Sequence, residues 1–160
     1  MDSIGRIKKL FKLKLHPMEG GYFAETYHAK GRIPNGHAYS TAIYYLFTPE
    51  SVSLMHRIKS DEIFHFYLGD PVEMLNLYAD GKGKTLVLGN KVLEGMTPQV
   101  IVPKGIWQGG CLRKGGRFAL IGTTVAPGFE YRDYEHGRRA CLTKKYPEFK
   151  KQIEKLTTPE

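Results

Sequence analysis

The chain has 160 residues, 41% of them hydrophobic and 12% aromatic, which suits one ordered globular domain over residues 1–160 and excludes a disordered chain. The net charge of +8 is confined to residues 1–14 and 138–160, while residues 15–137 carry equal numbers of acidic and basic side chains. No apolar run reaches the ~18 residues of a membrane-spanning helix, and no signal peptide is visible. We therefore expect a cytoplasmic protein that binds neither nucleic acid nor membrane.

The predicted elements begin and end with helices. Apolar residues at helical spacing predict one helix over residues 3–13 and another from residue 142 onward. Between them, short runs of strand-forming residues alternate with turns, and these predict strands over residues 22–28, 40–47, 51–57, 63–68, 72–78, 85–88, 99–102, 106–108 and 118–125. Many short strands with helices only at the ends predict an all-β sandwich or barrel.

One stretch places polar residues within strand-like sequence. His56 and His65 flank the acidic pair Asp61 and Glu62, and the residues around them are mostly aliphatic or aromatic. A buried carboxyl or imidazole group costs several kcal/mol unless another group pairs with it. We therefore expect this stretch to form the wall of a lined cavity.

The same stretch resembles the first sequence motif of the cupin fold, G-x5-H-x-H-x3/4-E-x6-G. His56, Glu62 and Gly69 match its first histidine, its glutamate and its last glycine. Ile58 stands where the second histidine belongs. The second cupin motif, P-x-G-x2-H, is present over residues 103–108 except for its last position, where Gln108 replaces the histidine.

Five ordered segments are similar to the Cupin_5 family, and they extend over nearly the whole chain. They begin at His16 (HPMEGGYFAETY), Ser40 (STAIYYL), Ser60 (SDEIFHFYLGDP), Pro103 (PKGIWQ) and Val125 (VAPGF). The resemblance implies a double-stranded β-helix, the cupin jelly roll, with short N- and C-terminal helices. It also implies a homodimer, and it implies no firm activity.

Metal binding is the first chemistry to consider, because metal-binding cupins typically offer three histidines and a glutamate. This chain keeps His56 and Glu62, and Gln108 is a weak neutral ligand. His65 lies three residues from Glu62, so a regular strand directs the two side chains to opposite faces. We expect no cofactor; if a divalent metal is bound, its ligands are His56, Glu62 and Gln108.

Three functions stay open. The leading one is metal-independent binding of a small polar ligand, nucleotide- or sugar-like, in the barrel interior, with ligand-binding residues Tyr22, Phe64, His65, Tyr67, Gln99, Trp107, Gln108 and Phe129. The second comes from the resemblance to metal-free nucleotide-sugar epimerases: His56 and Glu62 would be catalytic, with His56 as base and a tyrosine as acid. The third is a metal-dependent cupin enzyme. The sequence identifies neither the ligand nor the acid among ten tyrosines.

Overall fold

The structure is a computed structural model that describes residues 2–159, so Met1 and Glu160, the ends of the predicted domain, lie outside the described residues. Within this range the chain forms three α-helices and eleven strands. The helices are α1 (Ser3–Leu10), α2 (Arg139–Lys145) and α3 (Lys150–Lys155). The strands are β1 (Lys14–Leu15), β2 (Tyr22–His28), β3 (Thr41–Phe47), β4 (Val52–Arg57), β5 (Asp61–Gly69), β6 (Val72–Leu77), β7 (Gly83–Leu88), β8 (Gln99–Val102), β9 (Trp107–Leu112), β10 (Ala119–Ala126) and β11 (Glu135–His136).

The strands form two antiparallel sheets. The larger sheet has the order β1-β2-β3-β10-β5-β8, and the smaller one has the order β11-β4-β9-β6-β7. Both sheets contribute apolar side chains to one shared core, so their inner faces pack against each other. Strands such as β4 and β5 follow one another in sequence but belong to different sheets, which confirms the predicted all-β jelly roll.

Strand β10 is the central connection of the larger sheet, because it lies between β3 and β5. Thr123 on β10 pairs with Ile43 on one side and Phe64 on the other. Side chains alternate between the two faces of a strand, so Thr123 and Phe64 point into the barrel while Thr124 and His65 point out. This alternation decides which of the predicted site residues can reach the interior.

All three helices lie outside the barrel. Leu142, Tyr146 and Ile153 of the C-terminal region pack on the outer face of the smaller sheet. Helix α1 packs on part of the outer face of the larger sheet, through Ile4 and Ile7. The interior is therefore left to strands and loops. Among the described residues, no helix has the length and apolar character needed to cross a membrane.

Three predicted elements differ from the structure by more than two residues at one end, each for a local reason. Helix α1 ends at Leu10 instead of residue 13, because Lys12 adopts a left-handed backbone conformation with φ 52°. The predicted C-terminal helix is divided into α2 and α3, because Pro147 prevents a helical conformation at the preceding residue. Strand β9 extends four residues past the predicted end, where a Cβ at Gly109 would lie 2.7 Å from the sulfur of Met55.

Candidate functional site

A cavity of about 140 Å³ opens inside the barrel against the inner face of the larger sheet. Strands β2, β3, β5 and β10 supply its wall, and the segments before β2 and after β10 complete it. Its lining residues are His16, Glu19, Phe23, Glu25, Thr41, Ala42, Ile43, Ile58, Glu62, Thr123, Val125, Phe129, Glu130 and Tyr131. Glutamate and aromatic side chains are prominent in this set, and none of these described lining residues is Lys or Arg.

A tight turn before β2 directs Glu19 into this cavity. Gly20 and Gly21 have φ values of +90° and +67°, which side chains larger than glycine rarely adopt. The turn is held by the neighbouring strands: the Leu54 amide donates to the Glu19 carbonyl (2.8 Å), and the Tyr45 hydroxyl donates to the Gly20 carbonyl (2.5 Å). As a result the Glu19 carboxyl group is fixed, and its side chain is only 16% exposed.

The ring of His16 is oriented by the same turn. Its Nδ1 accepts hydrogen bonds from the backbone amides of Met18 (3.2 Å) and Glu19 (3.0 Å). A neutral imidazole that accepts at Nδ1 carries its proton on Nε2. The Nε2 atom lies 3.7 Å from Oε1 of Glu19, so the proton of neutral His16 faces the carboxyl group.

His56 approaches Glu19 from the other side with the opposite tautomer. Its Nδ1 donates to the Leu54 carbonyl (2.7 Å), which leaves the lone pair of neutral Nε2 facing Oε1 of Glu19 at 3.5 Å. The ring stacks on Tyr134, with centroids 5.1 Å apart. Burial lowers the pKa of His56 and raises the pKa of Glu19. Both shifts disfavour the ion pair of a protonated imidazole and a carboxylate.

Glu62 is the second carboxyl group in the cavity. Gln108 Nε2 donates to Glu62 Oε2 (2.7 Å), and the Thr123 hydroxyl is also hydrogen-bonded to the carboxylate. Burial, reinforced by the charge of Glu19, raises the pKa of Glu62 to about 7. Within the described chain, no Lys or Arg side chain forms an ion pair with Glu62. Near neutral pH, this carboxyl group is therefore protonated in a large fraction of molecules.

A layer of amides and imidazole lies behind the carboxyl groups. His56, Gln108 and Asn76 form one row across β4, β9 and β6. Among the described buried side chains, three polar atoms lack a hydrogen-bond partner: Gln108 Oε1, Asn76 Oδ1 and the Tyr134 hydroxyl. Unsatisfied buried polar atoms are uncommon in folded proteins, and they concentrate here around the cavity floor.

The structure brings four of the predicted site residues to this region. Glu62 and Phe129 line the cavity itself. His56 and Gln108 are buried behind Glu19 and Glu62 and do not line it. The predicted convergence of positions 56, 62 and 108 is thus observed, with Glu62 as the member that faces the cavity.

Three predicted ligand-binding residues lie on the outer face of the larger sheet. His65 contacts Thr124 (Nε2 to Oγ1, 3.1 Å) and Gln99 (Nδ1 to Nε2, 3.4 Å). Its ring is parallel to that of Tyr67, which is 49% exposed. Because His65 is three residues from Glu62, the alternation of the strand sends it outward, and the same holds for its neighbours Gln99 and Tyr67.

The remaining three predicted ligand-binding residues also lie away from the cavity. Trp107 precedes Gln108 on β9 and therefore faces outward, where the Arg57 guanidinium lies 4.5 Å above its ring. Tyr22 lies beneath α1, with Lys8 Nζ 3.3 Å from its ring centroid. Phe64 points inward but packs in the apolar core.

His16 and Glu19 were not among the predicted site residues. Their segment, which begins at His16, belongs to the first of the five segments that carry the family resemblance. The signal that could have identified them is a histidine and a glutamate three residues apart, followed by two glycines. Such glycines permit a sharp turn that points the preceding side chain into the fold.

The donor set does not fit a divalent metal ion. Gln108 presents its Nε2 to Glu62, and an amide N–H is a hydrogen-bond donor, not a ligand. Ile58, at the position of the missing histidine, lines the cavity with an apolar side chain. Within residues 2–159, no group of three or more His, Cys, Asp or Glu side chains is arranged to hold a metal ion.

Comparisons with known proteins agree with this fold. The profile of Cupin_5, described as Cupin superfamily (DUF985), matches residues 6–137. The crystal structure of protein SO0799 from Shewanella oneidensis is 31% identical, with a TM-score of 0.92 and full coverage of both chains. A hypothetical protein from Leishmania major is 29% identical, with a TM-score of 0.91, over 99% of this chain and 100% of that one. The uncharacterized protein YML079W of Saccharomyces cerevisiae is 31% identical over 134 residues, which span 72% of this chain and 66% of the yeast protein.

Proposed function

This chain belongs to the Cupin_5 family of the cupin superfamily (DUF985), and from that premise we propose that it binds a small polar ligand inside its barrel without a resident metal. The observation that carries the proposal is the pair of buried carboxyl groups, Glu19 and Glu62, exposed to one enclosed cavity. Burying such groups without a cationic partner costs several kcal/mol, and perturbed carboxyl groups in a cleft are typical of functional sites. Their free hydrogen-bonding capacity supports a polar ligand.

The size of the cavity favours a sugar-like ligand over a nucleotide-like one. Its volume of about 140 Å³ is close to the ~150 Å³ of an engineered protein cavity that holds one benzene ring. A single polar ring, as in a monosaccharide, matches this space. A whole nucleotide exceeds it, and its phosphate would face Glu19, Glu25 and Glu62.

Filling the cavity from β10 tests the binding proposal. We expect Thr123→Leu to reduce monosaccharide binding at least tenfold, because the larger apolar side chain enters the cavity and removes the hydroxyl beside Glu62. Binding is followed by ¹⁵N–¹H NMR titration with a panel of monosaccharides and nucleoside monophosphates. Thr85→Leu, the same substitution at an exposed position on β7 of the smaller sheet, is the matched control and should bind as wild type does. No ligand-dependent shift around Thr123 and Phe129 with any compound would refute the proposal.

A second candidate function is acid–base catalysis of the epimerase or isomerase type. The observation that favours it is the pKa of Glu62, raised by burial to about 7, which suits proton transfer near neutral pH. Since His56 lies behind Glu19, Glu62 would contact the substrate and His56 would act on Glu19. When the same titrations are run in D₂O, this activity would remove the signal of a carbon-bound proton of a keto-sugar. We expect this loss with wild type and not with Glu62→Gln.

We also propose that the protein is a homodimer formed through the outer face of the larger sheet. Tyr27, Ala42, Thr124, Ile63 and Ile101 form one row on this face across β2, β3, β10, β5 and β8. The two ends of the row are 56% and 60% exposed. A row of apolar residues at an open sheet face and edge is a common site of subunit association.

A charge on this face should separate the subunits. In size-exclusion chromatography with light scattering, we expect Ile101→Glu to elute as a monomer and wild type to elute as a dimer. The circular dichroism spectra of the two proteins should be the same. Leu93→Glu is the matched control, because Leu93 is an exposed aliphatic residue too but lies in the segment between β7 and β8. A monomeric wild type, or a dimeric Ile101→Glu, would contradict the proposed interface.

A further inference from the structure

We propose that the ligand is a small organic cation, a single ring that carries a protonated amine. This inference rests on the proposed function, since it names the chemical class of ligand for the same cavity. Four features of the cavity lead to it: the charge of its lining, its surplus of hydrogen-bond acceptors, its aromatic walls and its size.

The charge of the lining favours a cation. Glu19, Glu25, Glu62 and Glu130 line the cavity, and no Lys or Arg is among the described lining residues. Glu130 is paired with Arg132 (2.6 Å), and Glu25 is half-exposed and contacts His28 (3.3 Å), so the carboxyl groups available to a ligand inside the cavity are those of Glu19 and Glu62. A carboxylate or phosphate group in this space would add like charge to a poorly solvated site, whereas an ammonium group would neutralise it.

The hydrogen-bonding groups of the cavity also favour a cation. The carboxyl oxygens of Glu19 and Glu62, which both line the cavity, are hydrogen-bond acceptors. Gln108 lies behind Glu62 and donates its amide N–H to that carboxylate, so it offers no donor to the cavity. A site with many acceptors and few free donors is complemented by a ligand that donates, and an ammonium group offers three N–H donors.

Aromatic side chains form the remaining wall. Phe23, Phe129 and Tyr131 line the cavity, and the last two rings pack edge to face with centroids 5.2 Å apart. The faces of such rings attract cations, which is why aromatic walls beside carboxylates recur in sites for organic ammonium ions. The volume of about 140 Å³ limits the ligand to one six-membered ring.

Three compounds that share one ring test how the charge of a ligand affects its affinity when the shape is kept nearly constant. Cyclohexylammonium, cyclohexanol and cyclohexanecarboxylate are titrated at pH 8 in the presence of EDTA and followed by NMR at Thr123 and Phe129. We expect the cation to bind at least tenfold more tightly than the alcohol, and the anion not to bind. The sugar set glucosamine, glucose and glucuronate should give the same order.

Variants assign this preference to the carboxyl groups. Glu62→Gln and, as a second variant, Glu19→Gln should each reduce the ratio of cation to alcohol affinity at least threefold. Glu94→Gln, at an exposed carboxylate paired with Lys91, should leave the ratio unchanged. Equal affinities for the cation and the alcohol would overturn the inference and leave the binding function standing. Absence of binding by every compound in both sets would overturn both.

Discussion

Replacing Glu62 with glutamine should stabilise the fold by about 3 kcal/mol at pH 9 and by less than about 1 kcal/mol at pH 5. Glutamine has the shape of a protonated glutamate and can still accept the hydrogen bond from Gln108. In wild type, burial and the charge of Glu19 raise the pKa of Glu62 from 4.5 to about 7. Each pKa unit corresponds to about 1.4 kcal/mol, so ionising this group in the folded state costs roughly 3 kcal/mol.

The direction of the effect follows from proton linkage. A carboxyl group whose pKa is higher in the folded chain stabilises the fold below pH 4.5, and that contribution is lost as the pH rises through 7. The groups that face Glu62 are Glu19 on the turn, Tyr45 on β3, His56 on β4, Gln108 on β9 and Thr123 on β10, and His16 lines the same cavity. Burial lowers the pKa of His16 and of His56, so their contribution is present above pH 6.5 and is lost on acidification. The stability difference between Glu62→Gln and wild type therefore grows from about pH 4.5 and levels off above about pH 7.

Urea unfolding at pH 5, 7 and 9 measures this difference. Glu135→Gln serves as the control, because Glu135 is an exposed carboxylate paired with Arg57 and should change stability little at any of these pH values. A Glu62→Gln variant whose advantage over wild type is the same at pH 5 and pH 9 would show that Glu62 does not titrate near neutrality.

Replacing Gly20 with alanine should destabilise the fold by about 3 kcal/mol and also abolish ligand binding. Gly20 has φ +90°, and a Cβ there would lie 2.5 Å from the backbone carbonyl oxygen of Val52. Because β4 cannot move away without losing its pairing, the turn must shift instead. That shift displaces Glu19, whose carbonyl is bonded to Leu54 on the same strand.

A variant at a second glycine separates the two causes of the lost stability, which are the contact with Val52 and the left-handed backbone conformation. Gly81 has φ +88°, nearly the same as Gly20, but an added Cβ would meet no atom within 4 Å. Gly81→Ala should therefore lose only about 1 kcal/mol, the cost of the left-handed conformation. Urea unfolding of both variants, together with the NMR titration, measures the difference. Equal losses for Gly20→Ala and Gly81→Ala would mean that the contact with Val52 is unimportant.

The fold was predictable because its signals are local. Alternating strand formers and turn residues indicated most strands, and the family resemblance supplied the jelly roll. The errors lie where packing overrides the local pattern. Glycine is a weak strand former, yet β9 continues through Gly109 and Gly110 because neighbouring strands approach closely there.

The site was predictable only in part, because strand alternation follows from the sequence but the direction of a turn depends on packing. Strand alternation places Glu62 and His65 on opposite faces, and the same rule separates Gln108 from Trp107, so these residues could have been sorted from the sequence alone. The position of Glu19 could not, since it depends on where a glycine turn points once β4 has packed against it.

The position of β10 between β3 and β5 has a consequence for synthesis on the ribosome. Residues 119–126 emerge after both of their neighbours, so a growing chain that stops before them leaves the inner edges of β3 and β5 unpaired. Such edges are open to wrong partners in other chains. We therefore expect the growing chain to aggregate most readily just before its last quarter is translated. A chain truncated at that point should be insoluble and should not form a smaller barrel.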